Sequence, residues 1–230
     1  MSLFNLFIHG DSLFIGEPEF PTTEEFITKA IQHGEETLKI CTLEKYPVAY
    51  ALAQGRLGMY YLDLADITDF GSKTENLKDS IEAFAEALKV FRANEYPLNY
   101  VDLKANISLA YLKLAAVNDQ CKNIRHAIRL LKESLRIATL ESYPDRYANI
   151  QRYLSHLYLE LSAAENKEDN VRKAISYSQE ALKLYKFKAD DQKHFSFETN
   201  IQKASACTYC GYVELYLDPE ELKAKRPYIN

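Results

Sequence analysis

Apolar side chains return every three or four residues along most of this chain, which is the spacing of an α-helix, and the pattern itself is copied. Within residues 47–65, Tyr50, Ala53, Leu57, Tyr61 and Leu64 fall at i, i+3, i+7, i+11 and i+14, a single stripe on a 3.6-residue period. A second kind of segment carries Asn76-Leu77, Ser80-Ile81 and Glu86-Ala87-Leu88. It is echoed by Asn123-Ile124, Ala127-Ile128 and Glu133-Ser134-Leu135, then by Asn170-Val171, Ala174-Ile175 and Glu180-Ala181-Leu182. The Asn that opens each copy predicts an N-cap. Ala30-Ile31 and Glu36-Thr37-Leu38 form an earlier copy, so the array opens inside a unit, at Thr22 or Thr23.

Tyr46-Pro47, Tyr96-Pro97 and Tyr143-Pro144 stand 50 and then 47 residues apart, a period that signals stacked supersecondary units. Proline at the first turn of a helix loses nothing, because its missing N–H would have no partner there. Further tyrosines repeat at fixed offsets, Tyr50, Tyr100 and Tyr147, then Tyr61, Tyr111 and Tyr158. Asn200-Ile201-Gln202 repeats Asn149-Ile150-Gln151 and brings Tyr209 to the same offset, a degenerate fourth copy with His194-Phe195 in place of Tyr-Pro. The connectors, residues 66–75, 116–122 and 163–169, are short and polar, which demands antiparallel neighbours. The expectation is about eight helices in hairpins over residues 22–216, stacked into one all-α solenoid domain.

Such an array needs covered ends. Residues 1–20 place two apolar runs around His9-Gly10-Asp11-Ser12 and are expected to cap the first helix as a small hairpin or extended segment. Phe4, Leu6, Phe7, Leu13 and Phe14 must be buried by the solenoid, by a second chain in a homodimer, or by a partner; the solenoid is preferred. At the other end, Asp218-Pro219-Glu220-Glu221 reads as the capped start of a short helix within residues 218–230, stopped by Pro227.

Composition narrows the function. With 28 Lys and Arg against 33 Asp and Glu the chain lacks the basic stripe that a phosphate backbone requires, so no nucleic-acid partner is expected. No apolar run nears the roughly 20 residues of a membrane span, and residues 3–15 lack a basic n-region, which predicts a cytoplasmic protein with no membrane partner. Cys41, Cys121, Cys207 and Cys210 are too sparse for a disulfide framework and are expected reduced.

Leu57-Gly58 with Tyr61, followed by Ser80-Ile81, Phe84 and Ala87-Leu88, resembles the two-helix signature of the tetratricopeptide repeat. The likeness returns in Ile107 with Tyr111, Ala127-Ile128 and Ser134-Leu135, and in Leu154 with Tyr158, Ala174-Ile175 and Ala181-Leu182. The long period and Tyr-Pro starts resemble a prokaryotic variant of the repeat; Gln54, Lys104, Gln151 and Gln202 stand where the ordinary repeat has Trp. The resemblance implies a right-handed superhelix whose first helices line a concave groove for a peptide or partner protein. By that register the inward positions are Gly55, Met59, Leu62 and Asp63, then Asp102, Ala105, Leu109 and Lys113. The third unit adds Asn149, Arg152, His156 and Leu159, and the fourth Asn200, Lys203, Cys207 and Cys210. An apolar floor with amides for a peptide backbone and cations for a carboxylate suits such a ligand.

Catalytic chemistry finds little footing. Cys207 and Cys210 share a helix face in this register, but a tetrahedral zinc site needs two more ligands at suitable spacing, and small buried packing residues are the simpler reading. The five His fall in no catalytic spacing, the chain holds no phosphate-binding or nucleophile-elbow glycine motif, and the absence of Gly between Gly71 and Gly211 leaves little room for a phosphate-cradling loop. The chain is therefore expected to be a non-enzymatic interaction scaffold without cofactor or metal. A regulatory subunit that senses a short peptide or small molecule is the alternative.

Overall fold

The structure, a computed structural model, describes residues 24–191, 204–206 and 213–215. These residues form α1 (Glu24–Ile40), α2 (Pro47–Ile67), α3 (Phe70–Ala87), α4 (Pro97–Ala115), α5 (Gln120–Ser134), α6 (Pro144–Ala164) and α7 (Lys167–Asp191). Two three-residue strands follow, β1 (Ala204–Ala206) and β2 (Val213–Leu215). The chain divides into two compact units, Met1–Ile150 and Gln151–Asn230.

In the first unit, helices adjacent in sequence pack against each other in order from α1 to α5, and α2 also touches α4. This is the arrangement expected of a helical repeat. Each Tyr-Pro starts a helix as its chemistry requires. Tyr46 and Tyr96 are held off the helical region (φ −138° and −132°), with Pro at the first helical positions. Their carbonyls accept the first helical bonds from the amides of Tyr50 and Tyr100, and Tyr143 does the same for Tyr147.

The connectors are tighter than the sequence suggests. Only Thr68 and Asp69 separate α2 from α3, and only Glu165 and Asn166 separate α6 from α7. Asp69 caps α3 by accepting from the Ser72 amide at 3.0 Å. Asp119 and Asn166 take the left-handed conformation, φ 43° and 44°, which Asp and Asn tolerate better than most residues. Asn76, Asn123 and Asn170 are consequently inside helices rather than at N-caps. Asn123 and Asn170 are buried, and their side-chain amides donate back to the connector carbonyls of Asn118 (2.8 Å) and Glu165 (2.7 Å). Asn76 donates to the Thr68 hydroxyl at 3.1 Å.

Close approach of first and second helices is made by small residues at one repeated position. Ser80 Oγ donates to the Gly58 carbonyl at 2.7 Å, and Ser108 Oγ donates to the Ala127 carbonyl at 3.3 Å. In the second unit Ser155, the equivalent of Gly58 and Ser108, meets the Ser178 hydroxyl at 2.7 Å. The main core joins Ala51, Leu62 and Ala65 of α2 to Leu77, Phe84 and Ala87 of α3 and to Leu103, Ile107 and Ala110 of α4. A smaller cluster unites Ile27 and Ile31 with Leu57 and Ala83. Helix α2 is thus buried on several sides, not along the single stripe that runs through Leu57.

Seven helices are present among the described residues, where eight were expected. The stretch expected to hold the first helix of a fourth unit contains instead an antiparallel strand pair, with Ala204 opposite Leu215 and Ala206 opposite Val213. Val213-Glu214-Leu215 alternates with period two and Gly211 precedes it, a local preference for strand that competes with the copied helical register. The expected caps, residues 1–20 and 218–230, lie outside the described residues.

Candidate functional site

The helices α2 and α4 carry the positions expected to face inward in the first two units. Helix α2 touches α4, Lys113 of α4 lies within electrostatic reach of Asp63 of α2, and Met59 and Leu109 are repeat-equivalent positions of the two helices. Met59 and Leu109 are both half-buried and pack against the main core, leaving part of each side chain at the surface. Three other expected groove residues are instead structural: Gly55, Leu62 and Ala105 are buried, because α2 and α4 pack there rather than face solvent.

Two of the polar groove residues join neighbouring first helices. Lys113 pairs with Asp66 across α4 and α2, its side chain only 12% exposed. Asp102 pairs with Arg146, at the start of α6, at 3.5 Å, the two side chains being 14% and 21% exposed. Partial burial strengthens each pair relative to a solvated one. Asp66 and Arg146 lie outside the repeat-matched positions, so the internal alignment held no sign of them; opposite charges in successive first helices were the available clue.

Asp63 remains at the surface. Its carboxyl is raised to about 6, first by loss of hydration and then by the neighbouring Asp66 carboxylate, with Lys113 opposing. A second polar link recurs between first and second helices. Tyr50 Oη donates to Glu86 at 2.7 Å, and Gln54 donates to Tyr50 Oη at 3.2 Å. One unit on, Lys104, at the position of Gln54, donates to Glu133 at 2.9 Å, which holds the Glu133 carboxyl below its usual range. These equivalent positions thus hold a hydrogen bond in one unit and an ion pair in the next.

The tyrosines at the third repeated offset contact the second helices. Tyr61 Oη donates to Glu35 of α1 at 3.3 Å and its hydroxyl is pushed up to about 12 by burial and by the Glu35 charge. Tyr111 stacks on His126 with centroids 5.2 Å apart.

The remaining expected residues are placed singly. Asn149 is half-buried on α6, where Arg152 is exposed and lies over the Tyr153 ring at 5.0 Å. His156 faces Glu160 one turn on, at 3.6 Å. Asn200, Lys203, Cys207 and Cys210 lie outside the described residues. Among the described residues, no three His, Cys, Asp or Glu are grouped to hold a metal ion, and no helix is long and apolar enough to cross a membrane.

No protein-family model, curated protein or solved structure matches this chain.

An unanticipated groove of about 700 Å³ runs between α1 and α2. Phe26, Ala30, Gly34, Ala49, Leu52, Ala53 and Tyr60 line it together with Lys29, His33 and Arg56.

Proposed function

We propose that this protein is a non-catalytic interaction scaffold of the tetratricopeptide type, which receives a peptide or a partner protein on the face formed by its first helices. One observation carries this reading: α2 touches α4, the Asp66–Lys113 ion pair bridges the two helices, and their repeat-equivalent residues Met59 and Leu109 are half-exposed apolar side chains on the same core. The ion pairs between first helices keep that surface in register, so a ligand would meet a preformed floor and spend little ordering it. Half-exposed apolar side chains supply contact area, and the bordering charges select among partners.

The test is affinity capture with the full chain, comparing the unaltered protein with Met59→Glu, Leu109→Glu and a control, Ala85→Glu, at an exposed position of α3. A partner retained by the unaltered protein and the control and lost by the double variant supports the reading. Equal capture by all three removes the first-helix face from it.

A further inference from the structure

We propose that the groove between α1 and α2 is the seat of the chain's own N-terminal apolar segment, residues 3–15. This is independent of the partner-binding reading above.

The repeat register makes the argument. Shifting the groove-lining residues by one 50-residue period carries the floor residues Ala30, Gly34, Thr37, Ala53 and Tyr60 onto Ser80, Phe84, Ala87, Leu103 and Ala110, while the rim residues Phe26, Lys29, Ala49, Leu52 and Arg56 fall on half-buried Asn76, Asp79, Asn99, Asp102 and Asn106. All five equivalents of the floor residues are 0% exposed. They are covered because α2 packs against both α3 and α4, and side chains of all three helices meet in one core. The groove between α1 and α2 is therefore the place that a helix preceding α1 would cover, as α2, immediately preceding α3, covers the next one.

Residues 1–23 are the segment that precedes α1, and their chemistry matches. They include nine Leu, Ile and Phe, enough to line an apolar floor. They join α1 at Glu24, two residues before Phe26, which lies on the groove wall. Residues 3–15 contain no Lys or Arg and one acid, Asp11, and Glu17 and Glu19 lie between them and α1. The charged side chains that line the groove are Lys29 and Arg56, with His33 beside them; Lys29 also pairs with Glu25 at its exposed end. An apolar segment without cations entering a groove with an apolar floor gains chiefly from burial, and Asp11, Glu17 and Glu19 meet no like charge among the residues that line the groove.

Because the chain has no Trp, Phe7→Trp in the full-length protein gives a single reporter. The expected result is a blue-shifted emission with weak acrylamide quenching, independent of protein concentration. Ala49→Glu, on the groove wall, should shift that emission to the red and raise quenching severalfold, and the control Ala85→Glu should not. Phe14→Trp repeats the measurement at the second apolar run. Deleting residues 1–20 should lower the melting temperature, and Ala49→Glu should have no further effect in the shortened chain. A fully quenchable Trp in both reporters overturns the proposal, as does a buried Trp indifferent to Ala49→Glu. Burial that appears only as the protein dimerises overturns it in favour of a second copy as occupant.

Discussion

Gly58 of α2 lies directly beneath the ring of Phe84 on α3, so close that a Cβ at position 58 would meet Phe84 Cε1 at 2.6 Å. Phe84 is 0% exposed and the Ser80 hydroxyl is bonded to the Gly58 carbonyl, so neither helix has room to yield. Gly58→Ala gains up to about 1 kcal/mol of helix propensity, but overpacking a core costs about 1–3 kcal/mol. The clash outweighs the propensity. The variant should be less stable by about 1 kcal/mol, read as a lower urea midpoint at an unchanged slope. Phe84→Leu in the same background should restore part of the loss, and a raised midpoint for Gly58→Ala alone would show that the two helices separate freely.

Asn123 and Asn170 each tie a helix start to the connector before it, through a buried amide. Replacing either with Ala leaves a connector carbonyl without that donor, which costs about 1–2 kcal/mol in denaturant unfolding. Asp at the same positions should cost at least as much, because it presents an acceptor to an acceptor. An Asn123→Ala protein as stable as the parent would mean that water replaces the amide fully.

Gln151 and Lys104 occupy equivalent positions with opposite prospects. Gln151 is 4% exposed and its Oε1 accepts no hydrogen bond among the described residues. Gln151→Leu conserves volume and removes a buried, unsatisfied acceptor, so stability should stay level or rise by up to about 1 kcal/mol. Lys104→Leu instead strips Glu133 of its closest cation and should destabilise by about 1 kcal/mol. Thermal melts of the two variants should therefore move in different directions; a shared direction would contradict the assignment.

Asp63 gives the protein a pH dependence of defined sign. Its folded-state value, about 6, lies above the ordinary 3.8, so between those values the folded chain binds more protons than the unfolded one. Stability from this group is greatest below about pH 4 and declines as pH rises through 6. The residue keeps much of its surface in water, so screening limits the effect to a few tenths of a kcal/mol, up to about 1. Asp63→Asn should raise the melting temperature at pH 7 and have little effect at pH 4. A stabilisation of equal size at both pH values would assign it to something other than the charge.

The long-period helices were legible because they rest on local chemistry repeated three times. Tyr-Pro sets a backbone well suited to starting a helix, and copies of the Ala-Ile or Ser-Ile pair and of the Glu-x-Leu triplet return apolar side chains along the second helices. The small residues at the Gly58, Ser108 and Ser155 position were visible as a register, although their role in letting helices touch was not. The candidate site was less legible. Of the expected groove residues, Gly55, Leu62 and Ala105 proved to be core, and Asp102 and Lys113 proved to be ion-paired to Arg146 and Asp66. Helical periodicity says which residues share a face, but a helix packed on three sides buries nearly all of its faces.

By itself, then, the sequence determined where the Tyr-Pro helices of this protein begin, how long the period is and which residues correspond from one unit to the next, because proline stereochemistry and apolar spacing act within a few residues. Tertiary structure alone decided which of those corresponding residues are covered. Ala30 and Ser80 hold the same place in the repeat, yet one lines an open groove and the other is sealed beneath α2. The difference is not in either residue. It lies in the packing of α2 over Ser80, where the Gly58 carbonyl accepts the Ser80 hydroxyl, a contact between residues that are not neighbours in sequence.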